Sequence, residues 1–318
     1  MKNLVLIAFA LAVFTSTAQQ ISLNSQYMFN EIVINPGATG TKDYIPVHLN
    51  FRKQWAGFEG APTTQTASAH AAIGNNLGFG GFLFNDVAGP SRRSGVQLNG
   101  AYNLRLSRDK KHNLGLGLGM SFTQHILDIN SLETELPDDP AIARSFNHQF
   151  VPDATFGAYY SFEDKGFFGL SARNLLQSRR DLFNFDQTFS NTLVRTYYAF
   201  GGYTFTLNDK WGLKTTGLLD VIEAGVFQFD VSVLAVYNKM FWFGGSYRNL
   251  DAGVAMAGLQ LGAFKFGYSY DITFSDIRSY QTGSHEIFLE LQLTPSQGNG
   301  GGSRTPWLKR NRIYAPSI

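Results

Sequence analysis

Six histidines, His48, His70, His112, His125, His148 and His285, are the side chains best suited to chemistry in this cysteine-free chain, and none lies in a ligand spacing such as H-E-x-x-H. A metal site is therefore not expected. His285-Glu286 and His148 could act as bases, but no nucleophile motif accompanies either. Asp138-Asp139-Pro140 lacks the alternating acidic loop and glycine of a calcium site, so it reads as a solvated turn. The run from Gly115 to Ser121 superficially resembles a phosphate loop, yet its strict alternation with leucine belongs to a strand. These residues point away from an enzyme and imply no cofactor.

The elements that hold them are set by export and by alternation. Residues 1–18 read as a secretory signal, with Lys2, an apolar stretch from Leu4 to Phe14, and the small residues Ser16-Thr17-Ala18 at the cleavage site. Without cysteine, lipidation, disulfides and thiolate metal sites are excluded. Past the signal nothing approaches the roughly 18 consecutive apolar residues of a membrane helix, so spanning requires a closed barrel. Charged residues make up 16% of the chain and aromatics 14%. The first figure is below the roughly 25% usual in soluble domains and favours a lipid-facing surface. A net charge of +2 with no basic stripe gives no reason to expect nucleic acid.

Period-two patterning places fourteen strands near residues 46–54, 63–73, 77–85, 93–106, 113–125, 151–162, 166–173, 195–207, 211–220, 226–237, 240–249, 253–262, 264–272 and 284–293. Connections after even strands are all short, whereas the three longest follow odd strands. That parity predicts an all-β transmembrane antiparallel barrel in the outer membrane, with short periplasmic turns, and disfavours a soluble sandwich. Aromatics near strand ends, among them Phe51, Trp55, Tyr197, Tyr198, Phe200, Trp211, Phe241, Trp242 and Phe243, suggest interfacial girdles or ordinary core packing. Gln97, Asn99, Asn103, Arg105, Gln228, Asp230, Ser232, Glu290 and Gln292 face inward by alternation, which predicts a polar lumen.

The expected organisation is a signal at 1–18, a plug or periplasmic segment at 19–45, the barrel at 46–293 and a glycine-rich, basic periplasmic tail at 294–318. Both termini are then periplasmic. Tyr27, Met28 and Phe29, with the Asn35-Pro36 turn, are too apolar to hang in water, so this segment should plug the barrel. The tail reads as either a solvated terminus or a docking peptide anchored by Trp307 and Tyr314.

Three strings carry more than periodicity: Ser25 to Gly40 (S-Q-Y-M-F-N-E-I-V-I-N-P-G-A-T-G), Phe51 to Thr64 (F-R-K-Q-W-A-G-F-E-G-A-P-T-T) and Gly78 to Pro90. With Tyr268 to Ile272 and Gly283 to Leu291, they resemble the PorP/SprF family, save that Gly37 stands where alanine is more usual. The resemblance implies a non-enzymatic barrel of the Bacteroidota type IX secretion and gliding system. Such a barrel would sit in outer-membrane lipid and would anchor or help secrete a cell-surface protein, or bind other machinery components. A transporter or channel for hydrophobic or small solutes is the competing reading. The expected rim is Arg52, Lys53, Gln54, Trp55, Gly57, Phe58, Glu59 and Pro62, with Arg52, Lys53 and Glu59 free for ion pairs. Packed on it would be a second loop, the connection at 86–92 with Asn85 at its edge, in which Asn85-Asp86 and Gly89-Pro90 complete the mouth where a partner docks.

Overall fold

The computed structural model describes residues 24–109, 111–128, 148–163, 165–178, 193–223, 225–249 and 251–294. The signal region, Asp138-Asp139-Pro140 and all of the C-terminal tail beyond Thr294 lie outside them. Fourteen antiparallel strands form one closed barrel. In chain order they are β1 Ile45–Lys53, β2 Thr63–Ile73, β3 Leu77–Ala88, β4 Ser91–Arg105, β5 His112–Leu127, β6 His148–Phe162 and β7 Gly166–Arg173. The remainder are β8 Thr196–Thr206, β9 Trp211–Ile222, β10 Phe227–Tyr237, β11 Phe241–Arg248, β12 Ala252–Leu261, β13 Phe264–Thr273 and β14 Ser284–Leu293. β1 closes on β14 in a register running from Ile45 opposite Leu293 to Lys53 opposite His285.

Period two sorts side chains between two surroundings. Leu83 and Leu118 are 58% and 62% exposed on the outer wall, alongside Leu98, Leu116, Met120, Val231 and Phe243. Thr64, Thr66, Ser68 and His70 of β2 are buried inside. An apolar outside around a polar inside inverts a water-soluble core and suits lipid. Closure also removes the edge strands whose unpaired amides lipid could not satisfy. The described residues of the connections after even strands, at 74–76, 106–109, 111, 163, 165, 207–210, 238–240 and 262–263, all lie at one end, and 54–62, 174–178, 193–195 and 274–283 lie at the other.

Two expectations need correction. The connection between β3 and β4 is not a loop over 86–92 but a two-residue turn at Gly89 and Pro90, with Asp86 and Arg92 in the ladder. The polar residues that read as turn signals continue the ladder instead, Asp86 turned inward to Arg93 and Asn85 outward to Arg92. The lumen is also not uniformly polar, because Leu218, Leu234, Val236, Trp242, Val254, Met256 and Phe288 line one side of it. Tyr198, Phe200 and Trp242 belong to that lining rather than to an outer girdle. The first described residues lie at the long-loop end and Leu293 lies at the short-turn end.

Candidate functional site

Residues 24–41 occupy the lumen as three short 3-10 turns, Tyr27–Phe29, Glu31–Val33 and Pro36–Ala38. They start beside the long loops, cross the bore and leave at the short-turn end, where the Gly40 amide donates to His70 Nδ1 at 3.0 Å. The predicted plug residues Tyr27, Met28, Phe29, Asn35 and Pro36 are all buried there.

At the upper end the segment is clasped by charge. Glu286 accepts the Ser25 amide at 2.7 Å and the Gln26 amide at 3.2 Å. The Ser25 hydroxyl lies 3.0 and 2.9 Å from the two Asp271 oxygens and can donate to one of them. It accepts from Arg52 at 2.7 Å and Arg248 at 3.1 Å, which uses its full capacity of one donor and two lone pairs. Arg52 also reaches Asp271 at 2.7 Å and Glu286 at 3.0 Å. Arg52 was expected at the rim; it is instead buried in the lumen, because β1 turns His48, Asn50 and Arg52 inward together.

Lower down, Phe29 fills the apolar side. Its ring centroid is 5.2 Å from those of both Trp242 and Phe288, and Lys214 Nζ and Lys265 Nζ approach it to 4.9 and 5.4 Å. Lys265 and His48 both face Glu290, each at 3.6 Å. Across the bore, Asn35 donates to the carbonyls of Ala158 at 2.9 Å and Leu170 at 3.0 Å, bridging the β6–β7 pair, and accepts the Gly37 amide at 2.8 Å.

The glycine face of β5 now has a reason. A Cβ on Gly115 would strike Gly37, and one on Gly117 would strike Pro36. A Cβ on Gly37 would in turn lie 2.7 Å from the Gly115 carbonyl and 2.9 Å from that of Gly157, which accounts for glycine at this position. The slim face of the strand is shaped to admit the Asn35-Pro36-Gly37 turn.

The rim is knitted from three connections, one more than expected. Gly89 donates to the Gly60 carbonyl at 2.8 Å, joining the first two. The Ala56 amide donates to Gly283 at 2.8 Å, and Thr282 donates back to Ala56 at 2.7 Å, joining the loop at 274–283. Trp55, in a left-handed backbone conformation at φ 46°, donates its amide to Ser284 Oγ at 3.1 Å. Lys53, Gly57, Phe58, Glu59 and Gly89 are exposed, while Gln54, Trp55, Pro62, Asn85 and Pro90 are half-buried. Asp86 is turned inward to Thr64 and Arg93. Of the three residues expected to form rim ion pairs, Arg52 alone does so among the described residues, and its pairs lie in the lumen. The third connection was expected as a long loop but not as part of this rim, because nothing in its exposed Phe274 and Tyr280 signals which loop it meets.

The histidines have structural partners. His48 stacks on Phe288, His112 meets the Tyr160 hydroxyl at 2.5 Å, and His285 meets the Tyr268 hydroxyl at 2.8 Å. His148 begins β6, and its side chain lies outside the described residues.

A closed fourteen-strand wall, apolar outside and threaded by its own N-terminal segment, defines an outer-membrane β-barrel. The family described as "Type IX secretion system membrane protein PorP/SprF" matches residues 16–291. The chain belongs to that family. No curated protein matches the chain. Among solved structures, a Pseudomonas aeruginosa FadL homologue is 11% identical, with 86% of this chain and 94% of that one covered at a TM-score of 0.47. The Pseudomonas putida toluene transporter TodX is 10% identical, with coverages of 83% and 93% and a TM-score of 0.47. The Acinetobacter baumannii outer membrane protein Omp33 is 8% identical, with coverages of 79% and 98% and a TM-score of 0.45.

Proposed function

We propose that this barrel is a non-enzymatic docking protein of the type IX secretion and gliding apparatus, holding a secreted cell-surface protein, or a machinery component, at its long-loop rim. The observation that carries this reading is the interlocked rim above a filled lumen: Gly60 to Gly89, and Ala56 to Thr282 and Gly283. Three connections tied by backbone hydrogen bonds make a preorganised surface, which lowers the ordering cost of binding. Phe58 and Tyr280, 45% and 72% exposed on that rim, are suitable aromatic anchors.

In this reading the 1–18 signal is removed on export, the long loops face outward, and the tail from residue 294 lies in the periplasm. The start of the threaded segment then opens toward the outer face. Crosslinking in native outer membranes, followed by purification and mass spectrometry, tests the idea. A secreted surface protein or machinery component should be captured by the unaltered barrel and lost from the Phe58→Ala/Tyr280→Ala variant. Equal capture by a variant that inserts normally would sink it. So would specific uptake of a hydrophobic ligand with no protein captured, which is the transporter outcome.

A further inference from the structure

We infer that the barrel is also a latent pore for small hydrophilic ions and solutes, shut by residues 24–41 and held shut by the clasp on Ser25. The inference stands apart from the docking reading, because it concerns the bore and not the rim.

The first support is the wall left behind if the segment moved. It would present Arg52, Arg248, Lys214, Asp230, Asp271 and Glu286, all buried at present against the segment or one another. A lumen built to stay sealed could be filled with apolar side chains, avoiding the desolvation cost that buried charges carry. Charges with water as their alternative partner suit a bore that opens. Glycines on the same wall, including Gly78, Gly115, Gly117 and Gly157, are narrow only because the segment lies on them. Without it they widen the bore.

The second support is how the segment is attached. Its ordered turns are 3-10, and the barrel closes without it, as fourteen strands paired only with one another. Withdrawing it breaks side-chain contacts and no rung of the ladder. Wall side chains hold the segment along its length, Asn99 at the Ile32 carbonyl and Ser171 at that of Ile34 among them, but its charged contacts are densest at Ser25, where one hydroxyl and one amide engage Arg52, Arg248, Asp271 and Glu286. The clasp is also coupled to the rim: Arg52 stands three residues before Trp55, whose amide donates to Ser284, two residues before Glu286. A load on the rim loops therefore reaches β1 and β14, two of the four strands that hold Ser25.

The absence of native cysteine allows a direct test in the full chain. The Ser25 hydroxyl sits almost equidistant from both Asp271 oxygens, at 3.0 and 2.9 Å, so the Asp271 Cγ lies close in front of it. Sulfurs in the Ser25→Cys/Asp271→Cys variant replace those two atoms and can bond with a small shift. In planar bilayers the unaltered protein should be silent, the oxidised variant silent, and the reduced variant should conduct. Glu286→Gln, which keeps the shape and removes the charge, should conduct intermittently without any cysteine. A reduced variant and a Glu286→Gln variant that both run as folded barrels on gels yet stay silent would overturn the inference. Steady currents from the unaltered protein, equal to those of the reduced variant, would overturn it as well.

Discussion

Arg52 of β1 and Asp271 of β13 pair at 2.7 Å across the intervening β14, with only 2% of either side chain exposed, and the pair closes on the hydroxyl of Ser25. Asp271 keeps Arg248 at 3.4 Å, but removing Arg52 takes the ion-pair partner from the buried Glu286, a loss of the kind that costs about 3–5 kcal/mol. Arg52→Ala should lower the temperature at which the barrel loses its compact gel mobility, and Arg52→Lys should fall in between, because an ammonium keeps the charge and loses the two-pronged fork. Equal melting of all three proteins would show that the clasp contributes nothing.

Sequence reading reached the wall because lipid and lumen impose opposite demands on successive residues. Leu114, Leu116 and Leu118 against Gly115, Gly117 and Gly119 can be read as a strand without any structure. The same alternation could have placed Arg52 inside with His48 and Asn50; the rim assignment followed the motif string across the strand end instead. Trp242 between Phe241 and Phe243 was hidden for a related reason, since three consecutive aromatics conceal which one faces inward. The interlock of residues 56 and 282 joins segments more than two hundred residues apart, and local pattern carries no trace of it.

Phe29 is the apolar counterpart of Ser25. Packed against Trp242 and Phe288 and flanked by two lysines, it anchors the segment to the greasy side of the bore. Phe29→Ala should cost about 3–5 kcal/mol by the usual cavity and transfer losses. Trp242→Ala should cost a similar amount, and the double variant less than the sum, because the two rings share one contact. Additive losses in thermal melts would separate the rings energetically.

The short turn between β6 and β7 offers a contrast of opposite size. Glu163 bonds Lys111 at 2.7 Å and Lys165 at 2.8 Å, and these two partners hold its carboxyl down at about 2. A lowered carboxylate pKa adds stability above the ordinary value, and that stability is lost as pH falls toward 2. Both lysines are about half exposed, so the gain is screened. Glu163→Gln should leave the melting temperature at pH 7 essentially unchanged in 1 M salt. A large drop there would mean the turn carries load that its exposure does not suggest.

Two glycines on neighbouring strands test whether the wall is cut to fit the segment. Gly117 of β5 faces the bore, and a Cβ there meets the backbone of Pro36 and Gly37. Gly100 of β4 faces outward, and a Cβ there meets nothing within 4 Å. A valine in a strand is favoured or disfavoured by what it packs against on its own face, so the difference between the two substitutions reports what lies in front of them. Gly117→Val should push the Asn35-Pro36-Gly37 turn off the wall and release the Asn35 bridge to Ala158 and Leu170. Lys42, at the outlet of the segment, should then become a faster tryptic site, and the barrel should melt at a lower temperature. Gly100→Val should match the unaltered protein in both assays, or exceed it slightly as a lipid-facing apolar gain. Matching behaviour of the two variants would mean the glycine face of β5 is incidental to the plug.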